Sequence, residues 1–133
     1  MRSLVIAYLV TAGILFAMDF AWLNVATNAL YRPRIGGLLL DQPNLPVAAG
    51  FYLLYVIGVL AFAVFPALGH HDWTRALWGG VLLGLVAYGT YDMTNLATLA
   101  GWSAFVSVVD MIWGMVLTGT ASTLAYLILR RLI

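Results

Sequence analysis

The stretch FVSVVDMIWGMVLTGT, from Phe105 to Thr120, is apolar almost throughout but contains one acid, Asp110. A charged group in so long an apolar run is costly wherever the run is buried. The whole chain has the same character, because 64% of its 133 residues are hydrophobic and only 8% are charged. A soluble domain carries about 25% charged residues. This composition predicts a protein that folds in a lipid bilayer.

The charged residues are of two kinds only. All six cations are arginines, all five acids are aspartates, and cysteine is absent. The absence of cysteine excludes disulfides and thiolate metal sites. A net charge of +1 leaves neither a basic patch for nucleic acid nor an acidic tail. We therefore expect the lipid bilayer as the main partner, and no nucleic acid, cofactor or metal.

Four apolar stretches each approach the ~20 residues that a bilayer core requires. They run from about Ser3 to Val25, Val47 to Phe65, Arg75 to Leu96 and Ala104 to Leu129. They predict an all-α integral membrane protein with a single four-helix transmembrane domain, residues 1–133. A long loop, from about Asn28 to Pro46, is expected between helices 1 and 2, as a lid or short interfacial segment over the pocket or as a plain connector.

Residues that favour helix ends lie between these stretches. The expected N-caps are Asn44 for the second helix, Asp72 or Thr74 for the third and Ser103 for the fourth. Pro66 and Gly69 are expected to stop the second helix, and Gly101 to form the last turn.

The arginines predict the orientation of the four spans. The side that contains both termini holds four of them, and the opposite side holds two: Arg2, Arg75, Arg130 and Arg131 against Arg32 and Arg34. Positive charge near span ends favours the cytoplasmic side, so both termini are expected to be cytoplasmic.

Three acids, Asp19, Asp92 and Asp110, lie inside the predicted spans. The first two come late in helices that run outward, and the third comes early in a helix that runs inward. At 1.5 Å of rise per residue, all three are expected at nearly one depth in the outer half of the bilayer. Ionisable residues at membrane depth usually face the bundle interior and mark a functional site.

Helical spacing places further polar and aromatic residues beside these acids. The expected ligand-binding residues are Asp19, Trp22, Tyr88, Asp92, Asn95, Asp110 and Trp113, together with Arg32 and Arg34 from the outer loop. Carboxyl groups so close together must share protons or pair with these arginines. The alternative is that the polar groups only hold the helices together through hydrogen bonds and ion pairs.

Two shorter patterns add to this prediction. The first and fourth spans share D-x-x-W, in DFAWLN and DMIWGM, which hints at a pseudo-symmetric pocket. Gly80 and Gly84 form a G-x-x-x-G pair, which favours close packing within the chain or, as the alternative, a homodimer face. The adjacent His70 and His71 are expected to be solvated rather than to bind metal.

The strings YGTYDMTNLATLAGW, VVDMIWGMVLTGTAS and MDFAWL resemble a bacterial family of small membrane proteins catalogued as domain of unknown function 2177. The resemblance extends over essentially the whole chain. It implies a four-span protein of the bacterial inner membrane and brings no established activity. Its motif contains Asp92, Thr94, Asn95, Asp110 and Trp113.

Three classes of function remain open from the sequence. We favour a carrier or binding protein whose carboxylates hold a small polar, cationic or lipid-like ligand. The alternatives are a membrane enzyme that uses an aspartate as general acid or base on a lipid or isoprenoid-like substrate, and an accessory subunit of a larger membrane complex. The chain has no phosphate loop, no H-E-x-x-H motif and no nucleophile–base pattern, which weakens the prediction of an enzyme.

Overall fold

The computed structural model describes all residues 1–133 and is entirely helical, without a strand. It contains four long helices: α1 (Arg2–Leu38), α2 (Leu45–His70), α3 (Trp73–Thr98) and α4 (Ala104–Leu132). The two connections at 39–44 and 99–103 lie at one end of the bundle, which we call the distal end.

Three of these helices, α1, α2 and α4, are long and apolar enough to cross a membrane. The remaining predicted span, the third, corresponds to α3, whose 26 residues are sufficient in length. Glycine, threonine and tyrosine interrupt its leucines and valines, and it also contains Asp92 and Asn95. Its composition is therefore less apolar than that of the other three helices.

The segment predicted as a long loop is mostly helical. After its α-helical part ends at Ala26, α1 continues through a π-helical turn (Thr27–Tyr31), a short α-helical part (Arg32–Ile35) and a 3₁₀ turn (Gly36–Leu38). Only residues 39–44 are non-helical. A proline such as Pro33 is unfavourable inside a regular α-helix, but the π-helical turn that ends two residues before it lets the chain stay helical.

Pro66 likewise does not stop α2, contrary to the sequence prediction. A second π-helical turn, Leu60–Val64, precedes this proline, and α-helix follows it to His70. The helix ends at His70, and its C-cap, His71, has a φ of 54° in the left-handed region. In both helices, a wider turn two residues before a proline accommodates the missing N–H and the bulk of the ring.

The predicted N-caps are confirmed. The side-chain oxygens of Asn44 and Ser103 accept the N–H groups of Val47 and Val106, each at 3.2 Å. Asp72 accepts both the hydroxyl of Thr74, at 2.6 Å, and its N–H, at 3.0 Å. The hydroxyl of Thr74, followed by its N–H, holds the pKa of Asp72 below its ordinary value.

The closest packing in the bundle joins α3 to α4, which run antiparallel. Gly80 and Gly84 lie directly against the backbone of α4, around Gly114, Thr118 and Gly119. The G-x-x-x-G pair therefore serves packing within the chain, as close approach of two backbones requires residues without a side chain. This pairing sets Asp92 and Tyr88 of α3 against the first turns of α4.

Candidate functional site at the distal end

The three acids Asp19, Asp92 and Asp110 come together near the distal end, where α4 connects them. Trp113 Nε1 donates to Asp19 Oδ1 at 3.3 Å, which joins α4 to α1. The hydroxyl of Ser107 donates to the main-chain oxygen of Asp92 at 3.1 Å, which joins α4 to α3. The side chain of Asp110, on α4 between Ser107 and Trp113, is only 6% exposed.

Hydrogen bonds connect the two D-x-x-W motifs in both directions, once directly and once through Tyr31. Trp113, of the second motif, donates to Asp19 of the first. Trp22, of the first motif, donates to the hydroxyl of Tyr31 at 3.0 Å, and this hydroxyl donates to Asp110 Oδ1 of the second motif at 2.6 Å. The two indoles stack with their centroids 4.6 Å apart and their planes 8° apart. The repeated motif thus forms one interlocked pair.

Tyr31 is a site residue that the sequence did not reveal. It lies in the segment expected to be a loop, so its position relative to the acids could not be derived from helical spacing. In the structure it belongs to the π-helical turn of α1, and it reaches Asp110 across 79 positions of sequence. The only signal in the sequence is a polar aromatic residue directly before the pair Arg32 and Pro33.

A cavity of about 570 Å³ opens beside Asp19 and Asp110. Its wall is otherwise aromatic and aliphatic: Val47, Ala48, Phe51, Tyr52, Tyr55, Ala87, Tyr88, Tyr91 and Leu117. Val47, Ala48 and Phe51, from the first turns of α2, are exposed, so the cavity is accessible from that side.

The sequence did not predict the two α2 tyrosines of the cavity wall, Tyr52 and Tyr55. Their hydroxyls differ, because that of Tyr55 bonds Thr118 Oγ1 at 2.7 Å whereas that of Tyr52 is buried without a partner.

Asp92 lies behind Asp110 rather than in the cavity wall. Its side chain has no solvent exposure, and neither carboxyl oxygen has a hydrogen-bond partner. The facing turn of α4 contains Asp110, because Ser107 bonds the main chain of Asp92 and Gly114 packs against Tyr88. An unpartnered carboxyl group at such a place is unusual, because burial without a hydrogen bond is costly.

The remaining predicted site residues make no hydrogen bond to the carboxyl groups. Asn95 is partly buried, and its main-chain oxygen accepts the N–H of Leu99 at the end of α3. Arg32 is exposed. Arg34 donates to the main-chain oxygens of Ala29 and Leu30, at 3.4 and 3.3 Å, and its guanidinium lies 4.5 Å from the centre of the Phe105 ring.

The position of Arg34 has a local cause. Pro33 has no N–H to offer the main-chain oxygen of Ala29, four residues earlier, and the guanidinium supplies a donor in its place. The oxygens of Asp19 and Asp110 are instead held by Trp113 and Tyr31, which are neutral donors. No three acid or imidazole side chains converge closely enough to form a metal site.

The comparison with known proteins identifies a family. No curated protein and no solved structure matches the chain. A family model described as a predicted membrane protein, DUF2177, matches residues 4–127. The matched range contains all three acids, both tryptophans of the D-x-x-W motifs and every residue of the cavity wall. By this match over nearly its whole length, the chain belongs to the DUF2177 family of predicted membrane proteins.

Proposed function

We propose that the protein crosses the bacterial inner membrane four times, with both termini in the cytoplasm and the distal end towards the outside. The exposed apolar surface of α3 supports its assignment as a span. Trp78, Leu82 and Val86, spaced at one helical turn, are 57–66% exposed. A strip of large apolar side chains facing outward is unfavourable in water and ordinary in a bilayer. The four-to-two distribution of arginines supports the orientation.

Within this topology, we propose a binding protein or carrier for a small amphipathic molecule. The observation that carries the proposal is the 570 Å³ cavity, in which two carboxyl groups face an otherwise aromatic and aliphatic wall. Ligand sites have this composition, with a few convergent polar groups in a mainly apolar concave surface. A cationic or hydrogen-bonding head group would contact Asp19 and Asp110, and an apolar body would lie against the tyrosines.

The neutral partners of the two acids support this assignment. A Trp or Tyr donor orients a carboxylate without cancelling its charge, so the charge stays available to a ligand. An arginine at the same place would neutralise the carboxylate, and Arg34 is bonded elsewhere. A purely structural cluster would be expected to pair its acids with the available cations.

The binding proposal is tested with purified protein in maltoside detergent. Three compounds with one phenyl ring that differ in charge serve as probes: benzyltrimethylammonium, benzyl alcohol and benzoate. We expect saturable binding of at least one probe, and loss of that binding in Asp110→Asn. Asp41→Asn, an exposed acid in the 39–44 connection, is the matched control and should bind as the wild type does. Absence of saturable binding for all three probes would overturn the proposal.

The topology is tested separately by reporter fusions. A reporter that is active only in the cytoplasm is fused after Ile133, and we expect it to be active. A reporter that is active only outside the cytoplasm is inserted in the 39–44 connection, and we expect it to be active there too. A cytoplasmic 39–44 connection would place the cavity in the inner half of the membrane and reverse the proposed orientation.

A further inference from the structure

Asp92 and Asp110 lie on facing turns of α3 and α4, one fully buried and one at the cavity. The helix register supports their proximity independently of any charge. Ser107 of α4 bonds the main-chain oxygen of Asp92, and Asp110 lies one turn further along the same face of α4. Of the two, Asp110 reaches the cavity and accepts the Tyr31 hydroxyl, whereas Asp92 is fully buried.

The groups around this pair provide no positive charge. The titratable groups that face the pair are Asp19 and Tyr31 of α1 and Tyr88 and Tyr91 of α3. On α2, Tyr52 and Tyr55 face Asp19 instead. Two adjacent carboxylates without a cation cannot both be ionised in a dry site. A proton between Asp92 and Asp110 would resolve this and would also provide the missing hydrogen bond to the oxygens of Asp92.

We propose that the cavity exchanges an organic ammonium ion for a proton held by the Asp92–Asp110 pair. This inference rests on the proposed ligand-binding function and names its ligand class. In the empty site, the pair holds one proton, on the fully buried carboxyl group of Asp92. An ammonium ion beside Asp110 supplies the missing positive charge, so the O–H bond of Asp92 breaks and its proton passes to water. One positive charge enters and one leaves.

The wall of the cavity suits this ligand class. Four tyrosines and Phe51 surround the two carboxyl groups, and aromatic faces attract ammonium ions once these have lost water. An anionic ligand would meet two acids and no arginine. A neutral ligand would leave the charge of the pair unchanged and would release no proton.

The test measures binding and proton release together. Benzyltrimethylammonium is used because its permanent charge leaves it no proton of its own to exchange. We expect about one proton released per cation bound, and an affinity that rises up to tenfold per pH unit while the pair is protonated. Asp92→Asn keeps the shape of the side chain and removes the proton. It should still bind the cation, with no proton release and a flat pH dependence.

A second measurement needs no variant of the pair. Infrared difference spectra of the wild-type protein should show the loss of a protonated carboxylic acid band when the cation binds, and Asp41→Asn should behave identically. Cation binding without proton release, or benzyl alcohol binding as tightly as the cation, would overturn the exchange while leaving the binding function intact. Failure of all three phenyl-ring probes to bind would instead reject the proposed function itself.

Discussion

The packing of α3 against α4 sets the position of Asp92, and Gly80→Ala tests it. A Cβ atom at Gly80 would lie 2.5 Å from the main-chain oxygen of Thr118, 2.7 Å from Ser122 Oγ and 2.9 Å from Gly119 Cα. Two of these three atoms belong to the backbone, so no side-chain rotation relieves the contact. The helices must separate by about 0.9 Å to reach an ordinary 3.4 Å contact with the nearest atom.

The cost of this separation can be worked out from dispersion. A gap of 0.5–1 Å removes roughly a quarter to a half of the attraction of each affected atom pair, which is itself about 0.1–0.2 kcal/mol. If about 40 pairs along the interface are affected, the loss is about 2 kcal/mol. This value lies within the roughly 1–3 kcal/mol observed for overpacked interiors. We therefore expect Gly80→Ala to lower the free energy of unfolding by about 2 kcal/mol.

The matched control is Gly13→Ala, a helical glycine of α1 with nothing within 4 Å of the added Cβ atom. It should be neutral or slightly stabilising, because alanine favours the helix over glycine by up to about 1 kcal/mol. Both variants are compared with the wild type by circular dichroism during denaturation in mixed micelles. Equal stability of Gly80→Ala and Gly13→Ala would refute the close α3–α4 contact and, with it, the placement of Asp92.

Three further predictions concern single contacts. Tyr31→Phe removes the hydroxyl between Trp22 and Asp110, so we expect a loss of about 1–3 kcal/mol in thermal unfolding and a shifted tryptophan emission; an unchanged spectrum would contradict the relay. Gly101→Ala forces a φ of 79° on alanine and should cost about 1 kcal/mol or more by the same assay, so a neutral result would reject this turn. Because the pKa of Asp72 is lowered in the folded state, the stability it contributes should be complete above about pH 4 and decrease as pH falls through that pKa; Asp72→Asn should remove this pH dependence from an unfolding titration.

The sequence predicted the helix ends well where they depend on local chemistry. Asn44, Asp72 and Ser103 bond the first turns of their helices as expected, because a cap needs only its own next few residues. The same local reasoning was wrong at Pro66, and it treated the segment around Pro33 as a loop. A π-helical turn before a proline has no recognised sequence pattern, so its effect was visible only in the structure.

The site was predicted in part, for a reason specific to lipid. The common level of Asp19, Asp92 and Asp110 follows from their distances to the span ends, which the sequence contains. The face of α2 that points into the bundle cannot be derived from the sequence, because a helix in lipid is apolar on all sides and its sequence has no amphipathic period. Tyr52 and Tyr55, the α2 residues in the cavity wall, therefore could not be distinguished from lipid-facing aromatic residues.

Tyr31 and Trp113 take the place beside the acids that the sequence analysis gave to arginines. An indole N–H or a phenol O–H fixes the orientation of a carboxylate and leaves its negative charge in place. A guanidinium at the same position would form an ion pair, and a buried ion pair binds no further cation without breaking. With Trp113 on Asp19 and Tyr31 on Asp110, both acids are oriented by neutral donors and neither pairs with an arginine. A cation that enters the cavity would therefore meet these acids without having to displace an arginine first.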